Sequence, residues 1–462
     1  MSPDGNDNTG IVIARRLFWL YCIVWLIEGA LRKWVFPQYS MELLLVRDPL
    51  VLFVYYFAAQ ARSFPFNAWL GFLCLITGTI VVQAIIHVMA QDVSLVVAVF
   101  GIRTFVLHTP LIWVVPALFA RKEIVALGKW VLIIAPFLAG LMVVQFEVGP
   151  DHWLNVATIK GGSQIGSVFG RIRPPALFSF ITGPIHYFSL ATAFVFGGVL
   201  TKGLFPKWLI VVGAISILIA MSVSGSRALV LACMLVVIAG LAAGLLSGKR
   251  VGSILALIAV VSIAIPVLFS FGVLQEGVAA FSERWSSEES SGATGGKAMT
   301  NRVGGSFLTA FEWAGRVPIT GMGVGISSNL ATEIKASALP VEGEWERVIY
   351  EIGPITGFLY LGFRTALAFQ LLVFGFGAVR SGNYLCILLG AACFFDILTG
   401  NIRQVTSYGY IAVCAGLCLA AHKAFSGEEE SPIAEQVEDF IEEKPRARGR
   451  GRFAVGGNPV KS

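Results

Sequence analysis

Arginine placed in apolar surroundings is the feature of this chain most capable of chemistry. Arg103, Arg173, Arg227 and Arg364 fall inside or at the edges of long apolar stretches. A charge in the hydrocarbon of a bilayer costs at least about 2.5–3.5 kcal/mol. Each guanidinium is therefore expected to meet a carboxylate or a bound anion. Arginine stays ionised and binds anionic groups such as phosphate through a two-pronged fork, so the chain is expected to hold something negatively charged. Carboxylates are its other candidate groups for chemistry, as proton acceptors. Glu342, Glu344 and Glu346 cluster in EGEWERVIYEIG, where Glu344, Arg347 and Glu351 share a helical face at i, i+3 and i+7. That spacing leaves two readings of Glu344, as a base or as a member of an ion pair.

The elements that position these residues are membrane helices. Of 462 residues 56% are hydrophobic and 13% charged, about half the charged share of a soluble chain. Mean hydropathy is +0.77. The net charge of +6 lies largely in short loops and the tail, which argues against a nucleic-acid partner. All seven cysteines fall in apolar stretches without a CxxC or His/Cys ligand spacing, so neither a disulfide framework nor a zinc site is expected. Arg15-Arg16 precede the first apolar run and no small-residue cleavage site follows. The first span thus reads as an uncleaved anchor.

The expected fold is an all-α polytopic membrane protein of about twelve spans. They are placed near 11–31, 42–61, 66–90, 94–118, 125–147, 176–200, 207–224, 227–247, 251–273, 353–378, 384–400 and 404–422. Arg103, His108 and Pro110 interrupt the fourth, which therefore reads as a broken or re-entrant helix. Basic short loops alternate to one side (Arg15-Arg16, Arg62, Arg121-Lys122, Lys202 and Lys207, Lys249-Arg250, Arg380, Lys423). This predicts cytoplasmic termini. The tryptophans at 34, 69, 130, 153 and 208 suit interfacial belts.

The transmembrane domain covers 1–423 and includes a large, partly helical extracytoplasmic loop, 274–352, between spans nine and ten. The loop begins with flexible Ser/Gly-rich sequence. Apolar residues at helical spacing follow over Arg302 to Ala314, and its last segment is expected to be a helix running into the next span. A second outer loop covers about 149–175. Residues 424–462, acidic and then basic, read as a disordered cytoplasmic tail.

Four segments, taken in order, resemble the O-antigen ligase and polysaccharide polymerase superfamily. They are RIRPPALFSFITGPIHY, SVSGSRALVLA, NRVGGSFLTAFEWAGRVPITGMGVG and EGEWERVIYEIGPITGFLYLGFR, spanning roughly Gly170 to Arg364. The resemblance implies a metal-independent, cofactor-free, inverting glycosyltransferase. It would move glycan from an undecaprenyl-diphosphate-linked donor to an acceptor hydroxyl on the outer face of the bacterial cytoplasmic membrane. Arg173 and Arg227 match the family's phosphate-contacting positions, and Arg171 competes with Arg173. Arg302, Arg347, Glu351 and Arg403 are expected in support.

The chain departs from the ligase pattern at the base. No histidine lies in the loop, and the register counted back from Gly353 falls on Glu342. Glu342 and Glu344 are therefore the candidate catalytic carboxylates. The implied partners are the lipid-linked donor, an acceptor glycan or lipid, the membrane, and polysaccharide export or assembly proteins. ALRKWVFP and LVRDP carry no assigned role. His108 and His186 read as hydrogen-bonded core histidines. Asp396 reads similarly, although Asn401 and Arg403 beside it suggest a polar pocket. A secondary transporter or lipid-glycan flippase is the alternative, as is an inactive relative serving in assembly. The off-centre great loop and the lack of a half-to-half repeat weigh against a transporter.

Overall fold

The computed structural model describes residues 3–158, 164, 166, 170–247, 252, 266, 270, 272, 274–279, 282, 305–328, 331, 341 and 343–425. No strand occurs among them. The 251–273 span, the Ser/Gly-rich start of the great loop, Arg302, Glu342 and the tail lie wholly or almost wholly outside the described residues.

Among the described residues, seven helices are long and apolar enough to cross a membrane. They are α1 (Pro3–Ala30, extended by a π-turn through Val35), α3 (Ala68–Met89), α6 (Arg121–Glu147), α7 (Thr182–Leu200), α9 (Arg227–Ser247), α12 (Pro354–Arg380) and α14 (Val405–Ala424). The fourth expected span is α4 (Leu95–Val106) and α5 (Leu111–Leu118), bent by 50° around His108 to Pro110. Taken as one, they make an eighth crossing. Shorter apolar helices are α8 (Lys207–Val223) and α13 (Tyr384–Thr399).

The span expected at 42–61 is shorter than predicted. Residues Glu42–Leu45 form a 3-10 turn, and α2 is only Arg47–Gln60. At 1.5 Å per residue it is about 21 Å long, less than a bilayer core of about 30 Å. The charged pair Arg47-Asp48 opens this helix and is used in side-chain bonding. The 176–200 span likewise begins only at Thr182.

Leu75, Val82, Phe137, Ile238, Leu245, Phe369 and Val373 are exposed on the outer helices. An apolar surface of that extent is untenable in water and natural in lipid. α7, α13 and α14 are instead buried almost all round, which marks them as the centre of the bundle. Trp130, Trp153 and Trp208 are exposed, as interfacial side chains are. Trp69 is half-buried and packs on Trp113 and Phe363 at ring separations of 6.3 and 5.6 Å.

Two helices of the great loop are described, α10 (Ser306–Ala314) and α11 (Glu344–Ile352). Aromatic contacts tie them to each other and to the bundle. Phe307 meets Trp345, Phe311 meets Phe358, and Trp313 meets Tyr350, all within 5.5 Å. The expectation that α11 runs into the next span is corrected: Gly353, at φ +72°, separates it from α12. A Cβ at Gly353 would lie 2.0 Å from the Ile319 carbonyl oxygen. The glycine thus permits both the turn and the close approach of the 319–321 backbone.

Connections of a few residues make α8 antiparallel to α7 and to α9, and α14 antiparallel to α13. The N-termini of α7 and α9 therefore face the same way. Side-chain contacts join the start of α7 to the end of α13 and the start of α14. One end of the bundle, the arginine end, gathers these termini together with α11.

Candidate functional site

EWERVIYEI is strongly two-faced, and α11 turns Glu344, Arg347 and Glu351 inward. Arg347 forks onto Glu344, with Nε–Oε2 and Nη2–Oε1 distances of 3.0 Å. Its Nη1 donates to Glu351 Oε2 at 2.9 Å. From α12, Arg364 Nη1 reaches Glu344 Oε1 at 2.8 Å. All four side chains are buried. Burial pushes the Glu344 carboxyl up, but the Arg347 and Arg364 guanidiniums outweigh it and hold it below the ordinary carboxylate range. Burial also disfavours the charge on Arg347, and Glu344 and Glu351 more than restore it, raising its pKa. With both oxygens engaged, Glu344 matches the ion-paired reading and makes a poor base.

This network holds backbone as well as charge. Arg364 donates to the carbonyls of Ile397, Asp396 and Gly400 at 2.7, 3.2 and 2.7 Å, clamping the C-terminal end of α13, where orphan carbonyls favour a cation. Glu351 accepts from the backbone N–H groups of Gly325 and Ser327 at 3.2 and 3.3 Å, and Arg403 Nη1 donates to the Ser327 carbonyl. The glycine-rich turn 321–325 is thereby fixed against α4. At φ +80°, Gly325 approaches so closely that a Cβ would stand 2.4 Å from the Val97 carbonyl oxygen. Arg403 is half-buried. Burial, then the nearby Arg347 charge, lowers its pKa from the usual guanidinium value.

The candidate phosphate ligands are half-buried at the same end. Arg173 lies in the extended RIRPP lead-in to α7, and Arg227 is the first residue of α9. Arg171 donates to the Glu147 carbonyl and to Glu276 Oε2 at 2.8 and 2.7 Å. One residue on, a Cβ at Gly277 would lie 2.4 Å from the Ser222 carbonyl oxygen at the end of α8. Segment 274–279 thus touches both the lead-in and the junction from which α9 starts. Arg302 and Glu342 lie outside the described residues.

Sequence reasoning left the N-terminal charges without a role. Glu28 pairs with Arg32 at 3.5 Å and with Arg47 at 2.9 Å, and Arg47 Nη2 donates to the Val405 carbonyl at 2.6 Å. Arg103 forks onto Asp48. His108 bridges Asp48 Oδ1 at 3.1 Å and the Tyr21 hydroxyl at 2.7 Å. Arg32 reaches Ser179 Oγ at 3.1 Å, and Lys33 Nζ donates to the Ala176 carbonyl at 2.7 Å, so the end of α1 props the lead-in to α7. The available signal was the buried-charge rule itself, applied to RKW and VRDP as strictly as to Arg103.

These features define an all-α, membrane-embedded protein with a densely ion-paired end. No family model matches the chain, and no curated protein matches it in sequence.

Proposed function

We propose that this protein is an integral-membrane glycosyltransferase of the O-antigen ligase and polysaccharide polymerase type. In this reading it sits in the bacterial cytoplasmic membrane with twelve spans, cytoplasmic termini and the 274–352 loop outside. It transfers glycan from an undecaprenyl-diphosphate-linked donor to an acceptor hydroxyl. The observation that carries the reading is the bridge made by residues 274–279. It contacts Arg171 on one side and the α8–α9 junction beside Arg227 on the other. The lead-in that carries Arg171 and Arg173 and the junction that precedes Arg227, two separate parts of the chain, are thus touched by one segment. The twelve-span count takes α4 and α5 as one crossing, 251–273 as the ninth, and the short helices α2, α8 and α13 as crossings.

The chemistry follows from the residue types. The Arg173 and Arg227 forks hold the donor diphosphate, and Arg171 adds charge at its edge. As the acceptor oxygen attacks the anomeric carbon from the opposite face, the sugar–phosphate bond breaks and its electron pair leaves with the diphosphate. Fixed guanidiniums stabilise that charge in the transition state. Glu342, in the register of the family's histidine, is the sequence candidate for receiving the hydroxyl proton.

The test is the glycan profile of a deletion strain. Accumulated lipid-linked repeat units identify a polymerase, and unattached full-length chains identify a ligase. An unchanged surface glycan and an unchanged lipid-linked pool would refute the reading. The buried Glu28–Arg47 pair and the part-buried Asp48–Arg103 pair favour the flippase alternative as a second reading. A flippase deletion would leave the lipid-linked units on the cytoplasmic side, reachable by a periodate probe only after permeabilisation.

A further inference from the structure

Three helices that meet at the arginine end contribute a histidine, a carboxylate and a hydroxyl to one point. His186, in the second turn of α7, has its Nε2 2.9 Å from Ser407 Oγ in the first turn of α14. Its Nδ1 lies 3.5 Å from Asp396 Oδ2 in the last turn of α13, close enough for charge attraction but outside hydrogen-bond geometry. The ring is fixed by stacking on Tyr410, with centroids 4.5 Å apart and planes within 9°. His186 and Ser407 are buried, while the Asp396 side chain remains 19% exposed.

The contrast with His108 carries the inference. His108 is also buried, and both its ring nitrogens are bonded. His186 Nδ1 is buried with no hydrogen-bond partner. Leaving such a nitrogen unmatched is costly, and a carboxylate that reaches the surface stands directly beside it. A hydroxyl bound at the exposed edge of Asp396, to one side of the pair, would accept from an Nδ1–H and donate to the carboxylate. The backbone carrying Asp396 is also the one clamped by Arg364, which ties this point to the α11 network.

We propose that Asp396, positioned by His186 and Ser407, is the proton acceptor for the incoming hydroxyl, in place of the loop carboxylate Glu342. The inference rests on the glycosyl-transfer reading above. In the step, the acceptor O–H proton passes to the Asp396 carboxylate as the oxygen bonds to the anomeric carbon. The sugar–phosphate bond breaks, and its electron pair stays on the lipid diphosphate. Asp396 is the catalytic residue. His186 is a positioning residue that holds the orientation of the carboxylate.

The test uses full-length protein in membranes, supplied with the lipid-linked material that the deletion strain accumulates. Asp396→Asn should lower turnover by about 10² to 10⁴-fold, the range for losing a general base. Binding of undecaprenyl diphosphate, used as the probe, should stay unchanged. Asp396→Glu should recover part of the rate, and His186→Gln should lower turnover while keeping probe binding and the melting temperature. Arg227→Ala should lose probe binding. Full turnover in Asp396→Asn, with Glu342→Gln inactive, would overturn the proposal and return the role to Glu342. Loss of probe binding and of the folded melt in both Asp396 variants would also overturn it, by making the carboxylate structural. If the deletion strain shows no change in its glycans, the glycosyl-transfer reading falls and this proposal falls with it.

Discussion

The two charge networks use the same residue types and differ in where an unmatched polar atom lies, deep in the bundle at Arg47 or beside a surface carboxylate at His186. In the N-terminal network Glu28 and Asp48 meet Arg32, Arg47 and Arg103, and every carboxylate oxygen has a partner, as do both nitrogens of His108. These contacts tie α1, α2 and α4 together, and the fully buried Arg47 Nη1 is left without a hydrogen-bond partner. The α11 network is closed at Glu344 and Arg347, and it borders a set that is not: His186 Nδ1 is unmatched and Asp396 reaches the surface. Buried pairs fix the positions of helices. The unmatched nitrogen that borders a surface carboxylate is the point at which the proposed acceptor hydroxyl would bind.

Removing one member of a closed network gives the largest effect. Arg364→Ala should leave Glu344 short of one counter-charge and cost about 3–5 kcal/mol, read as a lowered melting temperature in detergent. Asp48→Ala should cost a similar amount in the N-terminal network. A much smaller loss at Asp48 would show that the two networks are not equivalent in stability.

Acid should weaken the α11 network. The folded-state pKa of Glu344 is depressed from 4.5, so its contribution is fully present above that ordinary value. It is lost as pH falls through the depressed one. Melting temperature followed downward from pH 6 should therefore drop in the wild type below about pH 4.5, with the drop blunted in Glu344→Gln.

Gly353→Ala tests the hinge between α11 and the bundle. Its positive φ and the 2.0 Å approach of the Ile319 oxygen leave no room for a methyl group. A loss of about 1–3 kcal/mol is expected, with α10 and α11 becoming more susceptible to protease than the membrane helices. At the small end, Glu276→Ala breaks the part-exposed pair with Arg171. It should cost no more than about 1 kcal/mol in thermal melts. A larger loss would mean that segment 274–279 supports the fold as well as bridging the arginines.

Much of this was legible from local patterns. The cost of burying Arg103 and Arg364 was readable, but not their partners. Arg103 finds Asp48 across 55 residues and Arg364 finds Glu344 across 20, and no local periodicity specifies such pairings. Glu344, Arg347 and Glu351 were readable because helical spacing puts them on one face. The break at Gly353 had a signal in the Gly-Pro step, which was outweighed by the apolar run on either side. The His186–Ser407 contact spans 221 residues, and with Asp396 the set draws on three helices. Each residue alone is an ordinary core polar group, so only the fold discloses the set.

The central claim is that the arginine end holds a lipid diphosphate, and a structure determined with undecaprenyl diphosphate bound tests it most directly. The account predicts the diphosphate at the arginine end, with the Arg173 and Arg227 guanidiniums both within about 3 Å of its oxygens. Guanidiniums more than about 15 Å apart, beyond what one diphosphate and its first sugar bridge by hydrogen-bond reach, would contradict it. So would a lipid bound elsewhere on the molecule.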